Sequence, residues 1–257
     1  SIMTAVPPAF ERRLKSLAER HGLLPQFEEL KASLRPGFSI RPATQPPAPG
    51  RSRFGGLPDV PPGFRWPRTD QGHLLFVAQI NLRDLPPHVD PLPRDGYLLF
   101  FSDSEGGASA VHWHRTLPPD LAPATLPDAD SFVYFPTWGR AQSGPLVRAA
   151  CVQFVPYMFL APIHLEDCDE DEELWDAHDE VRMGLKQTAS RLLGYSYYEP
   201  DLAGGFRQWE TLLQVDSFEP CDDMLWNDNG KLAYFVRKGC VRRAALGRPH
   251  TQIVGAG

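Results

Sequence analysis

Two glutamines stand at matching places in two apolar runs, and their amides are the first groups in this chain that demand partners. Gln79 lies in "FVAQINL" (76–82), with Asn81 two residues on; Gln214 lies in "LLQVDSF" (212–218), with Asp216 two residues on. A primary amide brings two donors and an acceptor to a strand, and burying them unpaired costs about 1–3 kcal/mol. Two roles fit. In one, the glutamines tie neighbouring turns to the sheet, and Asn81 and Asp216 open the next turn by bonding their own backbone. In the other, the two strand ends converge. Gln79, Asn81, Gln214 and Asp216 then surround one polar cleft rimmed by Trp66 and Trp226, suited to a polar small ligand or a peptide.

A second constellation is "HWH". His112 and His114 fall on one face of a strand and Trp113 on the other, so the two imidazoles are placed to share a metal, with His164 or an acid as third ligand. No HExxH spacing supports it, and the alternative is two ordinary histidines on a half-buried strand. The four cysteines, Cys151, Cys168, Cys221 and Cys240, form no CxxC pair and read as reduced thiols. There is no GxSxG elbow, and "SDSEGGAS" (102–109) lacks the lysine and the following helix of a phosphate loop. No cofactor is called for. The tyrosines of "GYSYY" read as turn and core packing, with an exposed aromatic patch as the other possibility.

These residues need elements to hold them. Phe10, Leu14, Leu17, His21 and Leu24 recur at helical spacing; Gly22 stops that helix, and Pro25 opens a second one carrying Phe27, Leu30 and Leu34. Pro36 and Gly37 end the helical part, and 36–67 reads as an irregular wrapped segment anchored by Phe54, Leu57, Phe64 and Trp66. Strands follow at 73–80, at "GYLLFFSD" (96–103), at "ASAVHWHR", at "SFVYF" and at "CVQFVPYMFL". Strict alternation puts Leu74, Phe76, Ala78 and Ile80 on one face and Leu75, Val77 and Gln79 on the other. Pro156 marks an edge or a bulge in the last of these strands. The acidic run "EDCDEDEE" (166–173) precedes a stripe of Leu174, His178, Val181, Leu185, Ala189 and Leu192 that Gly194 would cap. It reads as an acidic helix start, since no calcium-loop spacing is present. "WETLLQVDS" and "GKLAYFVRK" are strands again, and residues past Gly247 read as a fraying tail.

The 257 residues carry a net charge of −6 and 27 prolines, which argues against a mainly helical fold. The basic cluster of Arg237, Lys238, Arg242, Arg243 and Arg248 is too small to imply nucleic acid. No apolar run is long enough for a membrane span, and "SIMTAVPPAFERRLK" turns charged without an apolar signal core, so a cytoplasmic protein is expected.

The two glutamine units repeat a spacing. Gly96 opens "GYLLFF" 17 residues after Gln79, and Gly230 opens "GKLAYF" 16 residues after Gln214. Each unit follows a glycine-bearing turn, "FGGLP" or "LLGYS". A duplicated β unit is the expectation. Over about residues 54–236 the chain resembles the YwqG-like bacterial proteins, through "FGGLPDVPPGFRWP", "LLFVAQINL", "LPRDGYLLFFSD", "LLGY", "LLQVDS" and "MLWNDNGKLAYF". It departs from that pattern at "GYSYYEPD", where the family continues Gly-Tyr-Pro. The resemblance implies an α+β fold with a duplicated, strongly curved, mainly antiparallel sheet, and no catalytic residues. Relatives encoded beside toxin and immunity genes imply a binding role.

The organisation expected is one domain over 1–257: a helical segment (1–35), a first β half (54–165), a helix (170–194) and a second β half (195–247). The function expected is that of an immunity or accessory protein that binds a partner, with the acidic stretch suited to a basic protein. A metal-dependent hydrolase or other small-molecule enzyme is the alternative.

Overall fold

In the computed structural model, residues 5–87, 92–132, 145–162, 172–247 and 249–255 are described. Helix α1 (Pro8–Arg20) opens on a proline whose missing N–H would have had no intrahelical acceptor, and it carries Glu11 in its first turn and Arg20 in its last, each complementing the dipole. Gly22, at φ +76°, ends it. After α2 (Phe27–Ser33) the strands begin: β1 (Arg35–Pro42), β2 (Arg53–Phe54), β3 (Asp59–Val60), β4 (Arg68–Thr69), β5 (Gly72–His73), β6 (Leu75–Asn81), β7 (Tyr97–Ser102), β8 (Ser109–His114), β9 (Ala122–Pro123) and β10 (Ala150–Phe159). Helix α3 (Glu172–Gly184) precedes β11 (Arg191–Leu193); α4 (Gly205–Gln208) precedes β12 (Trp209–Asp216), β13 (Lys231–Arg237) and β14 (His250–Val254). The class is α+β, as the sequence implies.

Ten strands form one antiparallel sheet in the order β14-β13-β12-β11-β1-β10-β2-β6-β7-β8. The sheet curls strongly. Six strands separate β7 from β13 in that order, yet the rings of Phe100 and Tyr234 meet edge to face at 5.0 Å. The face carrying them is therefore the inside, and Phe38, Phe54, Leu98, Leu192, Leu213 and Val215 fill it. At the seam, Thr251 Oγ1 in β14 donates to Gly106 O in the β7–β8 turn at 2.8 Å, nearly closing the sheet. The outside of the first arm is covered by loops that bury Tyr97, Leu99 and Phe101 beside Phe64 and Trp66. That second cover is why "YLLFFS" is apolar without alternation. On the second arm Tyr198, Leu202 and Phe206 cover Trp209, Ala233 and Phe235. α1, α2 and α3 bury Leu14, Leu17, Phe27, Leu30 and Val181 against one another and against Leu160, which follows β10.

Several element expectations are corrected. Segment 36–67 is not irregular throughout: β1 is half of the central pair, in register from Arg35↔Phe159 to Pro42↔Val152. Its flanking prolines disguised it. Pro156 does not place β10 at an edge, because β10 lies between β1 and β2. The proline is accommodated because β2 pairs only with Ala150 and Cys151, leaving Pro156 in a stretch with a strand partner on one side alone. The helix expected over 170–194 ends at Gly184, and Leu192 belongs to β11. Past Gly247, His250–Val254 form the outer strand β14 rather than a fraying tail. Cys168, His164, Arg248, acids 166–171 and the latter part of "SFVYF" fall outside the described residues.

Alternation also fails in β6, for a physical reason. A bulge between Phe76 and Ala78 in the β6–β7 pairing turns Val77 and Ala78 both inward, so Gln79 points out. β12 has a bulge between Thr211 and Leu213, and Leu212 and Leu213 both face the core before Gln214 points out.

Candidate functional site

Gln79 is fully buried on the outer side of β6, opposite Leu99. Its Nε2 donates to Arg51 O at 2.7 Å and to Asp59 Oδ2 at 2.9 Å, and its Oε1 accepts the Asp59 N–H at 2.8 Å. Asp59 also accepts from Gly50 N and from Arg53 Nη1, both at 2.8 Å. Tyr97 donates its hydroxyl to Asp59 O at 2.8 Å. Burial pushes the Asp59 carboxyl up, but the bonds from Arg53, Gln79 and Gly50 outweigh it and hold the group below its ordinary range. Asn81 Nδ2 donates to Gly50 O at 3.0 Å, and Asn81 Oδ1 accepts the Arg83 N–H at 3.1 Å, which starts the next turn.

The second arm repeats this wiring at the same spacings. Arg53 lies opposite Gln79, and Arg191 lies opposite Gln214. Each glutamine donates to the carbonyl two residues before its arginine, Arg51 or Ala189. Each accepts the N–H six residues after that arginine, at Asp59 or Tyr197. A serine hydroxyl just before each arginine, Ser52 or Ser190, accepts the N–H of Asn81 or Asp216 at 2.9 Å. Each guanidinium donates to the carbonyl four residues on, Leu57 or Tyr195. The intervening turns share left-handed backbone at Gly55–Gly56 and at Leu193–Gly194. The arms differ at one charge. Tyr197 stands where the first arm has Asp59, so Arg191 gains no carboxylate bond there. Burial, helped by nearby Arg182, pulls Arg191 down to about 9, and the guanidinium lies 4.7 Å from the Phe159 ring.

The cleft expected from sequence is not assembled. Gln79 and Gln214 lie on β6 and β12 with four strands between them, both facing outward and each bonded within its own arm. Trp226 is fully buried in the interior core and rims nothing. Trp66 sits on the outside of the first arm, donating Nε1 to Leu74 O at 2.7 Å and packing on Phe101. Asp216 pairs with Lys231 at 3.6 Å, while burial raises its pKa. The cross-linking role is the one these bonds describe. Sequence reasoning missed Asp59, Arg53 and Arg191. The signal was present in the arginine that stands three residues before a glycine in both units, Arg53–Gly56 and Arg191–Gly194.

His112 and His114 both face outward from β8. His112 packs 5.3 Å from Phe64, His114 lies 6.3 Å from Tyr97, and burial lowers the pKa of each. Among the described residues no group of three His, Cys, Asp or Glu side chains is placed to hold a metal ion. Burial pushes the Cys221 thiol up to about 11, so it is protonated at neutral pH.

Beside the first hub an apolar groove of about 490 Å³ opens. Pro47, Pro123, Leu146 and Val147 line it, together with Arg53 and Asp59. A hollow of about 340 Å³ lies nearby, against Phe64 and Trp66. Residues 52–243 match the model of a family described as a domain of unknown function (DUF1963). The chain belongs to the DUF1963 family. YwqG-like proteins are part of it, in agreement with the resemblance read from the motifs. The DUF1963 match begins at Ser52, which bonds Asn81, and takes in both glutamines and both arginines; Gly50 and Arg51 of the first hub, and α1, α2, β1 and β14, lie outside it. No curated protein matches the chain.

Proposed function

We propose that this DUF1963 protein is a cytosolic binding protein, an immunity or accessory factor that engages another protein through the outer face of its first arm, on a scaffold made by duplication of one β unit. The observation that carries the reading is the contrast between the two hubs and the groove. The two glutamines and Asn81 are spent on tying loops to the sheet, whereas a large apolar groove stays open next to the first of them. An open apolar surface of this size with a few fixed polar groups is the usual form of a binding site. The matched bonding of the two arms supports duplication. The net charge of −6 and the acidic stretch supply attraction for a basic partner. Affinity capture from source lysate tests the role. One protein held stoichiometrically and released by salt is the expected result; no saturable partner at low salt defeats it.

A second reading keeps His112 and His114 as metal ligands of a hydrolase. It is favoured by two neutral imidazoles on one face and by His114 Nε2, which is buried without a hydrogen-bond partner among the described residues. Stoichiometric metal, lost on His112→Ala, would support it. Metal-free protein after incubation with zinc would remove it.

A further inference from the structure

A small polar pocket of about 200 Å³ lies beside the first hub, between the residues that follow β1, those that precede β2, and the start of β10. Gln45, Arg51, Asp84 and Gln153 bring polar groups to its lining, and Cys151 and Val152 of β10 complete it. The surrounding bonds fix this frame. Gln79 Nε2 holds the Arg51 carbonyl, and the Ser52 N–H donates to Asp84 Oδ2 at 2.9 Å. On the β1 side, Ala43 N donates to Cys151 O at 2.8 Å and Gln153 Nε2 to Pro42 O at 3.0 Å.

Two opposite charges therefore line one pocket, and they do not close on each other. The ion pairs among the described residues include neither Arg51 nor Asp84. The Arg51 guanidinium spends Nη1 on Gln45 Oε1, an uncharged acceptor, and its other N–H groups are left to bond elsewhere. Asp84 uses Oδ2 for the Ser52 N–H, which leaves Oδ1. A cationic donor and an anionic acceptor held apart on a fixed frame are complementary to a molecule that carries both charges.

We infer that this pocket binds a small zwitterion, a free amino acid with a short side chain, its carboxylate on Arg51 and its ammonium on Asp84. The site shares no lining residue with the apolar groove and does not depend on the protein-binding role. Bonds between a guanidinium and a carboxylate are among the strong, charge-assisted ones. A frame held by the hub lowers the ordering cost of binding. A ligand with only one of the two charges forfeits one of these contacts.

The test uses the full chain with glycine, L-alanine and L-serine, each compared with its N-acetyl and its amide derivative. Calorimetry reads affinity. Alkylation of Cys151 by iodoacetamide, followed by peptide mass spectrometry, reads occupancy, because that half-buried thiol lines the pocket. Saturable binding of at least one of the three, with each single-charge derivative at least tenfold weaker, is the expected result. Saturation should slow alkylation of Cys151 at least threefold and leave Cys240, outside the pocket, unchanged. Arg51→Gln and Asp84→Asn should each weaken binding at least tenfold while melting with the parent. The first keeps the backbone carbonyl that Gln79 holds, and the second keeps an oxygen for the Ser52 N–H. No saturation by any of the three up to about 10 mM overturns the inference. So does equal binding of the derivatives, or affinity unchanged in both variants.

Discussion

Asp59 accepts from Arg53, Gln79 and Gly50 while 2% exposed, so its charge and that of Arg53 are meaningful only together. Removing one member of a buried pair leaves the other unpaired. Asp59→Ala should therefore destabilise the protein by about 3–5 kcal/mol, read by urea denaturation. The pH dependence has a definite sign. The folded carboxyl titrates below its unfolded value, so the unfolded state takes up the proton first on acidification. The stabilisation is complete above the unfolded pKa, ~3.9, and is lost as pH falls through the folded one. Asp59→Asn should be less stable at neutral pH and show a flatter loss between about pH 5 and 2. A parallel loss in variant and parent would place the acid-sensitive group elsewhere.

At the scale of elements, β14 does what a fraying tail would not. It pairs with β13 from Lys231↔Val254 to Phe235↔His250 and reaches the β7–β8 turn through Thr251. Without it β13 becomes an open edge that presents unpaired N–H and C=O groups to other molecules. Truncation after Gly247 should lower the melting temperature and produce concentration-dependent self-association on size-exclusion chromatography. A monomeric truncation with unchanged melting would show that the seam contributes nothing. The bulges in β6 and β12 belong to this scale too. Each turns two successive apolar residues inward and so sends the next residue, a glutamine, out to its loop.

Across the whole molecule, the two hubs are separate structures joined through the central β1–β10 pair. Gln79→Leu and Gln214→Leu each strand buried donors and acceptors that the amide had satisfied, at about 1–3 kcal/mol per lost partner. Because four strands lie between them, the double variant should cost the sum of the singles within about 0.5 kcal/mol. Coupling well beyond that, measured by a double-mutant cycle in urea, would mean that the amides share an environment. The same separation leaves the two arms free to differ. Arg53 of the first lines a groove, and Arg191 of the second packs on the Phe159 ring.

The resemblance to the YwqG-like proteins carried the α+β class; the sequence by itself determined the N-terminal helices, the strands bearing Gln79 and Gln214, and the placing of His112 and His114 on one strand face with Trp113 on the other. Those follow from local periodicity and from turn residues, which act over a few positions. Tertiary structure decided the rest. β1 was hidden because Pro36, Gly37 and Pro42 lie within it, and β11 because three residues carry little periodic signal; the partners that define them, β10 for the one and β1 for the other, lie far along the chain. The two amides were separated rather than brought together, because a bulge inverts which face a residue occupies and pattern alone does not reveal a bulge. The groove, too, is a tertiary feature: its walls, Pro47, Pro123 and Val147, come from stretches far apart in the chain and meet beside Arg53 and Asp59 only in the fold.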